Sequence, residues 1–266
     1  MIKKALGHIY IEYFSGNRRL ERIWKIAQVD FKKRYYNDAF GLLWALINPL
    51  TQISIYYFVF TVIFKRNQEN FVLYLFCGIL TWLAFSEATK MGSKVLVLKK
   101  YLTENIQFNW LDLYSSHMIS ILMGLCFNFG AYLVILFLTG AKLGTYFYML
   151  PIVLLTLFLI SSAVAIVLGL IRPIFDDIVH IWEILLMIGF WVSGIFFSGQ
   201  FYYDNYPWFV HVNPFVGILL NMRACLLENN MMYWGLLLEN LVFSAILYFI
   251  AVTLFKKYAK KVIEKV

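Results

Sequence analysis

Lys32-Lys33-Arg34 places three cations side by side, a short way before Gly41. Lysine and arginine donate charge-assisted hydrogen bonds, and the arginine fork can hold a phosphate bidentately. Beside a flexible glycine, Lys32, Lys33 and Arg34 have the chemistry to receive an anionic group. The same cluster can do no more than hold the end of an apolar run at an anionic membrane surface, at about 1 kcal/mol per cation. Other reactive patterns are sparse. Asp176-Asp177 is the one candidate carboxylate pair, and it reads as a solvated turn. His8, His117, His180 and His211 are too scattered for a metal site, and Cys77, Cys126 and Cys225 form no CxxC. The phosphate loop GxxxxGK[ST], HExxH and GxSxG do not occur. These patterns predict a chain with no catalytic residues, no metal and no nucleotide hydrolysis of its own.

The composition sets where such chemistry operates. Of 266 residues, 62% are hydrophobic and only 14% charged, with a mean hydropathy of +0.72, against about 25% charged in soluble proteins. The expectation is one integral membrane domain. The net charge of +8 does not point to nucleic acid, because the cations flank apolar runs rather than forming a soluble face. The first twenty residues lack the apolar core of a cleavable signal peptide.

From Asn17, apolar Leu20, Ile23, Trp24, Ala27, Phe31 and Tyr35 recur at helical spacing, with Arg18, Arg22, Lys25 and Lys32 on the other side. This predicts an amphipathic helix lying in the membrane interface. Six spans are expected after it: 42–64, 71–89, 113–139, 147–171, 178–197 and 235–255, each close to the twenty-odd residues that cross about 30 Å. The segment 90–112 is too charged to cross and should form a short helix at the membrane face. Between the last two spans, 206–212 and 215–227 are apolar pieces too short to span, broken at Asn213-Pro214. Such pieces read as a re-entrant outer segment. Nineteen Lys and Arg lie on one side of these spans and four on the other, which predicts both termini in the cytoplasm. The domain reading is a cytoplasmic N-terminal segment over 1–41, a six-span domain over 42–255 and a basic cytoplasmic tail over 256–266. The fold class is all-α.

Aromatic residues are abundant, among them Trp44, Tyr56, Tyr57, Trp82, Phe190, Trp191, Phe196 and Phe197. Facing outward they make lipid belts or core; facing inward, rings of this kind stack on the apolar C–H faces of sugars.

Asp30-Phe31-Lys32-Lys33-Arg34-Tyr35, Phe40-Gly41-Leu42-Leu43-Trp44 and Asn48-Pro49-Leu50 together resemble the start of the membrane subunits of type-2 ABC exporters for O-antigen, capsule and teichoic-acid polymers. Gly78-Ile79-Leu80-Thr81-Trp82-Leu83-Ala84-Phe85-Ser86 is similar to that family's second span. Arg172-Pro173-Ile174-Phe175-Asp176-Asp177-Ile178, Phe190-Trp191-Val192-Ser193 and Asn213-Pro214-Phe215 with Arg223 follow in the expected order. Phe40, Asp176 and Gly194 depart from the usual residues.

The resemblance implies a permease in the bacterial inner (plasma) membrane, a homodimer with a polymer path at its interface. Two ATP-binding cassette subunits would carry ATP and Mg2+, leaving this chain without a cofactor. The implied cargo is a lipid-linked polysaccharide. Its phosphate would meet Lys32, Lys33, Arg34 and Gly41, and Trp44, Tyr56, Tyr57, Phe190, Trp191, Phe196 and Phe197 would serve the path. Lys94, Lys99, Lys100 and Asp177 would couple to the ATPase, and Pro207, Asn213, Pro214 and Arg223 would form an outer gate. Two rival readings are a membrane acyl- or glycosyltransferase acting on lipid-linked sugars, which would need Asp176-Asp177, and an ion-coupled carrier, which would need acids near the midplane.

Overall fold

Apolar runs in a bilayer have no water to satisfy their backbone groups, so they close their hydrogen bonds within helices. The computed structural model follows that rule: among the described residues, 19–35, 40–65, 70–100, 109–227 and 231–263, all regular structure is helical. The expected helix start at Asn17, the cation Arg66, residues 101–108 of the charged segment and Lys265 lie outside the described residues.

Helix α1 (Arg19–Tyr35) rests on α5 (Trp110–Leu138) through buried Ile23, Ile26 and Ala27. Arg19 Nη2 donates to Asp112 Oδ1 at 2.6 Å. The expected apolar stripe is therefore only half used against the bundle. Leu20 and Trp24 point away from it, as a helix between protein and lipid allows.

The chain turns at Gly41, whose φ of +49° favours glycine, and enters α2 (Trp44–Tyr57), extended by a π-helical turn at Phe58–Ile63. Pro49 lies inside α2, and Thr51 and Ser54 donate to the carbonyls of Ile47 and Leu50. Only Ala45, Pro49 and Ile53 of α2 are buried.

Helix α3 (Phe71–Gly92) is the centre of the bundle, with every residue from Leu73 to Trp82 buried. It touches α2, α5 and α6 (Leu150–Ile171). A one-turn helix, α4 (Val95–Leu98), follows it. Small residues let α6 approach its neighbours closely: a Cβ on Gly92 of α3 would stand 2.4 Å from Ala165 Cβ, and one on Gly169 would stand 1.9 Å from Tyr114 Oη of α5. Helix α11 (Trp234–Ile263) pairs along α6 and carries Lys256, Lys257, Lys260 and Lys261 in its last turns.

Among the described residues, five helices are long and apolar enough to cross a membrane. Helix α7 (Ile178–Val192), where a span to Phe197 was expected, has 15 residues and reaches only about 22 Å. Its end is set by Gly194 at φ +90°, after which Ile195 to Phe197 leave helical geometry. Three short helices come next: α8 (Gly199–Asn205), α9 (Pro207–Val212) and α10 (Pro214–Leu226).

Candidate functional site

The Asn213-Pro214 break is a helix start. Asn213 Oδ1 accepts from Phe215 N at 3.1 Å, and Pro214 takes the first helical position. Asn213 Nδ2 also donates to Val192 O at 3.3 Å, so the start of α10 is fixed to the end of α7. Phe215 packs on Trp82 and Phe85, halfway along α3, whereas Arg223 lies beside Tyr74, near the first turn of α3. Helix α10 thus begins inside the bundle and runs back toward the face where α3 starts, as a re-entrant helix does. All its residues from Phe215 to Leu226 are buried.

Arg223 explains how that helix is held. Its side chain is 1% exposed. Nη2 donates to Ile195 O at 2.6 Å, and Nη1 to Gly194 O at 3.0 Å and Phe197 O at 3.4 Å. Its guanidinium carbon lies 3.5 Å from the centroid of the Tyr74 ring, close enough for a cation–π contact. Tyr74 Oη donates to Phe197 O at 2.6 Å. The carbonyls freed where α7 stops are those that Arg223 and Tyr74 satisfy. A cation also suits the negative end of the α7 dipole. Gly78 leaves the room: a Cβ there would be 3.2 Å from Arg223 Nη2.

Asn221 and Tyr132 grip the rest of α10. Asn221 exchanges hydrogen bonds with the backbone of Tyr233, and Tyr132 Oη donates to Leu226 O at 3.1 Å. Neither residue was expected from sequence, and the available signal was a polar group inside an apolar run. Pro207 starts α9, whose His211 contacts Glu239 of α11 at 2.8 Å.

The aromatic residues divide. Tyr56 meets Phe190 at 5.5 Å, Trp191 at 6.2 Å and Phe196 at 5.0 Å, closing α2 onto α7. Phe196 is 1% exposed, so its faces are filled by neighbouring rings. Phe197 stacks instead on Phe201 at 4.8 Å. Trp44, edge-on to Phe40, is partly exposed, as are Tyr57 and Trp191.

At the other end of the bundle, Asp30, Lys33 and Arg34 of α1, Lys99 after α4 and His117 of α5 line one cavity of about 340 Å³. Ile26, Val29, Met91, Val95 and Leu98 supply its apolar wall. Lys99, expected to face a partner, turns inward: its side chain is 12% exposed and pairs with Asp30. Burial draws its ammonium below the usual lysine range, opposed by Asp30. Arg34 Nη1 reaches Glu87 Oε2 at 3.2 Å. Lys32 faces outward, Lys94 and Lys100 are half-buried, and Asp177 is exposed on the turn before α7. Lys90 bonds Glu183 at 2.7 Å, linking the end of α3 to α7.

Comparison with known proteins accords with this architecture. The ABC-2 type transporter family matches residues 21–227, from α1 to the end of the re-entrant helix. The chain is 24% identical over 247 residues to the O-antigen export system permease protein RfbA of Myxococcus xanthus, covering 91% of this chain and 94% of that protein. To a protein of the same name from Klebsiella pneumoniae it is 23% identical over 210 residues, 78% of this chain and 81% of the relative. With the family matching more than half of its length, from the first helix through the re-entrant segment, this chain is a member of the ABC-2 type transporter family.

Proposed function

We propose that this protein is the permease subunit of an ATP-driven exporter that carries a lipid-linked polysaccharide of O-antigen, capsule or teichoic-acid type out of the cytoplasm. The carrying observation is the alignment with O-antigen export permeases over nine-tenths of the chain. Family membership brings ATP-binding subunits as partners, and ATP and Mg2+ belong to them. The subunit sits in the bacterial inner membrane with both termini in the cytoplasm, a reading supported by the cations of α1, of the turn after α3 and of α11. Cysteines replacing Asp176 and Asp204, both exposed, should react from opposite sides. Labelling of both by a membrane-impermeant maleimide in intact cells would overturn that orientation.

Two copies form the transporter. Helices α2 and α7 close on each other through Tyr56 yet leave Ile55, Phe58, Ile184 and Ile188 outward, and this apolar surface is where the second copy packs. Trp44, Tyr57 and Trp191, exposed on the same helices, are the rings left to touch a polymer. Lys94, Lys100 and Asp177 face the ATP-binding subunits, and the Lys90–Glu183 pair carries motion from there into α3 and α7. Lys32, Lys33 and Arg34 receive the phosphate of the lipid carrier. Pro207, Asn213, Pro214 and Arg223 set the outer re-entrant segment.

Removing the chain from its native host should abolish surface polymer while lipid-linked polymer accumulates inside the cell, read by surface immunoblotting and by extraction of the lipid fraction. Unchanged surface polymer would overturn the proposal. Loss of the lipid-linked polymer itself would favour the membrane transferase.

A further inference from the structure

Helices α6 and α11 run side by side in the same direction, for Tyr146, just before α6, meets Trp234 at the start of α11 at 5.9 Å. Between them and α5 lies a cleft of about 230 Å³, lined by Tyr114, Ser115 and Met118 of α5, Ser162 and Ile166 of α6 and Tyr248 of α11. Ser115 and Ser162 donate to carbonyls of their own helices, Leu111 O at 3.1 Å and Phe158 O at 2.6 Å. Their protons are thus taken, and the lining is largely apolar. Ile166 lies 16 residues, about 24 Å, along α6, which places the cleft in the half of a 30 Å hydrocarbon layer nearer the end of that helix. A gap at this depth forfeits dispersion contacts until a chain fills it.

Helix α11 continues past the cleft. Tyr248, Val252, Lys256 and Lys260 follow at intervals of four, the spacing of a continuous inclined ridge on a helix. Lys256 stands 22 residues, about 33 Å, from Trp234 and Lys260 about 39 Å. These depths fall in or at the edge of the headgroup layer, since hydrocarbon and headgroups together span about 40–45 Å. Both lysines are exposed, and no carboxylate pairs with them among the described residues. A soluble partner could reach the lysines but could not fill the cleft, whereas one lipid molecule does both.

We propose that this cleft binds an anionic phospholipid of the surrounding bilayer, with an acyl chain against Ile166 and Tyr248 and its phosphate held by Lys256 and Lys260. The assignment goes beyond the export reading and does not depend on the cargo. The bound lipid splints α5 to α11, which also meet where Tyr114 packs edge-on to Phe255 at 5.7 Å.

The ridge separates a site from general attraction to cations. In the complete transporter, reconstituted in phosphatidylcholine nanodiscs, a phosphatidylglycerol analogue with a photoreactive acyl chain should label peptides bearing Ser162, Ile166 or Tyr248. The double variant Lys256→Gln/Lys260→Gln should weaken its binding on the order of ten- to thirtyfold, the worth of two cations near an anionic surface. Lys257→Gln/Lys261→Gln removes the same charge from the ridge that begins at Phe249, which is 72% exposed, and should leave labelling nearly unchanged. Ile166→Trp, which fills the cleft without changing charge, should lower labelling. Equal loss in the two lysine double variants, in complexes that assemble normally by size-exclusion chromatography, would reduce the lysines to diffuse attraction and overturn the proposal. Labelling of the same peptides by a phosphatidylcholine analogue that phosphatidylglycerol does not displace would overturn it by removing the headgroup preference. Displacement of the analogue by a polyprenyl pyrophosphate but not by phosphatidylglycerol would give the cleft to the cargo and overturn it as well.

Discussion

Replacing Arg223 by methionine is expected to abolish transport and sharply lower the yield of folded protein. Methionine matches the bulk of the side chain but abandons Gly194, Ile195 and Phe197. A hydrogen bond from a charged donor contributes about 1.5–3 kcal/mol, and each buried acceptor left unpaired costs about 1–3 kcal/mol. Against a total margin of about 5–15 kcal/mol for a folded domain, losing two short bonds and a long one is severe. Arg223→Lys should be intermediate, since a point ammonium cannot fork between the carbonyls of Gly194 and Ile195. Thermal unfolding of the purified protein in detergent, followed by tryptophan fluorescence, measures the order wild type, Lys, Met. A methionine variant as stable as wild type would show that Arg223 does not hold the end of α7.

The crossing of α3 and α6 carries the second large effect. Gly92→Ala is expected to destabilise the bundle by about 1–3 kcal/mol, the usual cost of overpacking, because the new methyl would stand 2.4 Å from Ala165 Cβ and 3.3 Å from its Cα. The overlap is chiefly with one methyl group, so the partner change has a defined sign. Ala165→Gly should restore most of the stability lost in Gly92→Ala, although glycine in a helix is intrinsically worse by about 1 kcal/mol. A double variant no more stable than Gly92→Ala would mean that backbone separation, not the side-chain overlap, sets the cost.

The spans were legible because the bilayer dictates their length. Phe147–Ile171 was expected as a span, and a 3-10 turn with α6 covers those residues. The end of α7 was hidden for the opposite reason. The sequence stays apolar from Phe190 through Phe197, and hydropathy does not register a backbone that leaves the helix at Gly194. Arg223 stood out as a cation in an apolar piece, yet its partners are carbonyls, which every residue owns. Lys99 was read outward because its neighbours are charged, whereas its partner Asp30 lies 69 residues earlier. On α1, periodicity placed Leu20, Ile23, Trp24 and Ala27 on one membrane-facing stripe, whereas Ile23 and Ala27 pack on the bundle with Ile26, which the stripe left out, and Leu20 and Trp24 face away from it. A helix with lipid on one flank and protein on the other has two apolar sides, and one stripe cannot describe both.

The shortness of α7 bears on what it costs to move a charge through this protein. A helix of 15 residues leaves about 8 Å of a 30 Å hydrocarbon layer uncovered. Beyond its end stand a guanidinium and a tyrosine hydroxyl rather than acyl chains. Hydrocarbon of low permittivity is the main barrier to an ion, with an idealised transfer cost of order 20 kcal/mol. Beside α7 that layer is narrower and bounded on its far side by polar groups, so any anion crossing there would meet a thinner insulator than one crossing beside a full-length span such as α6.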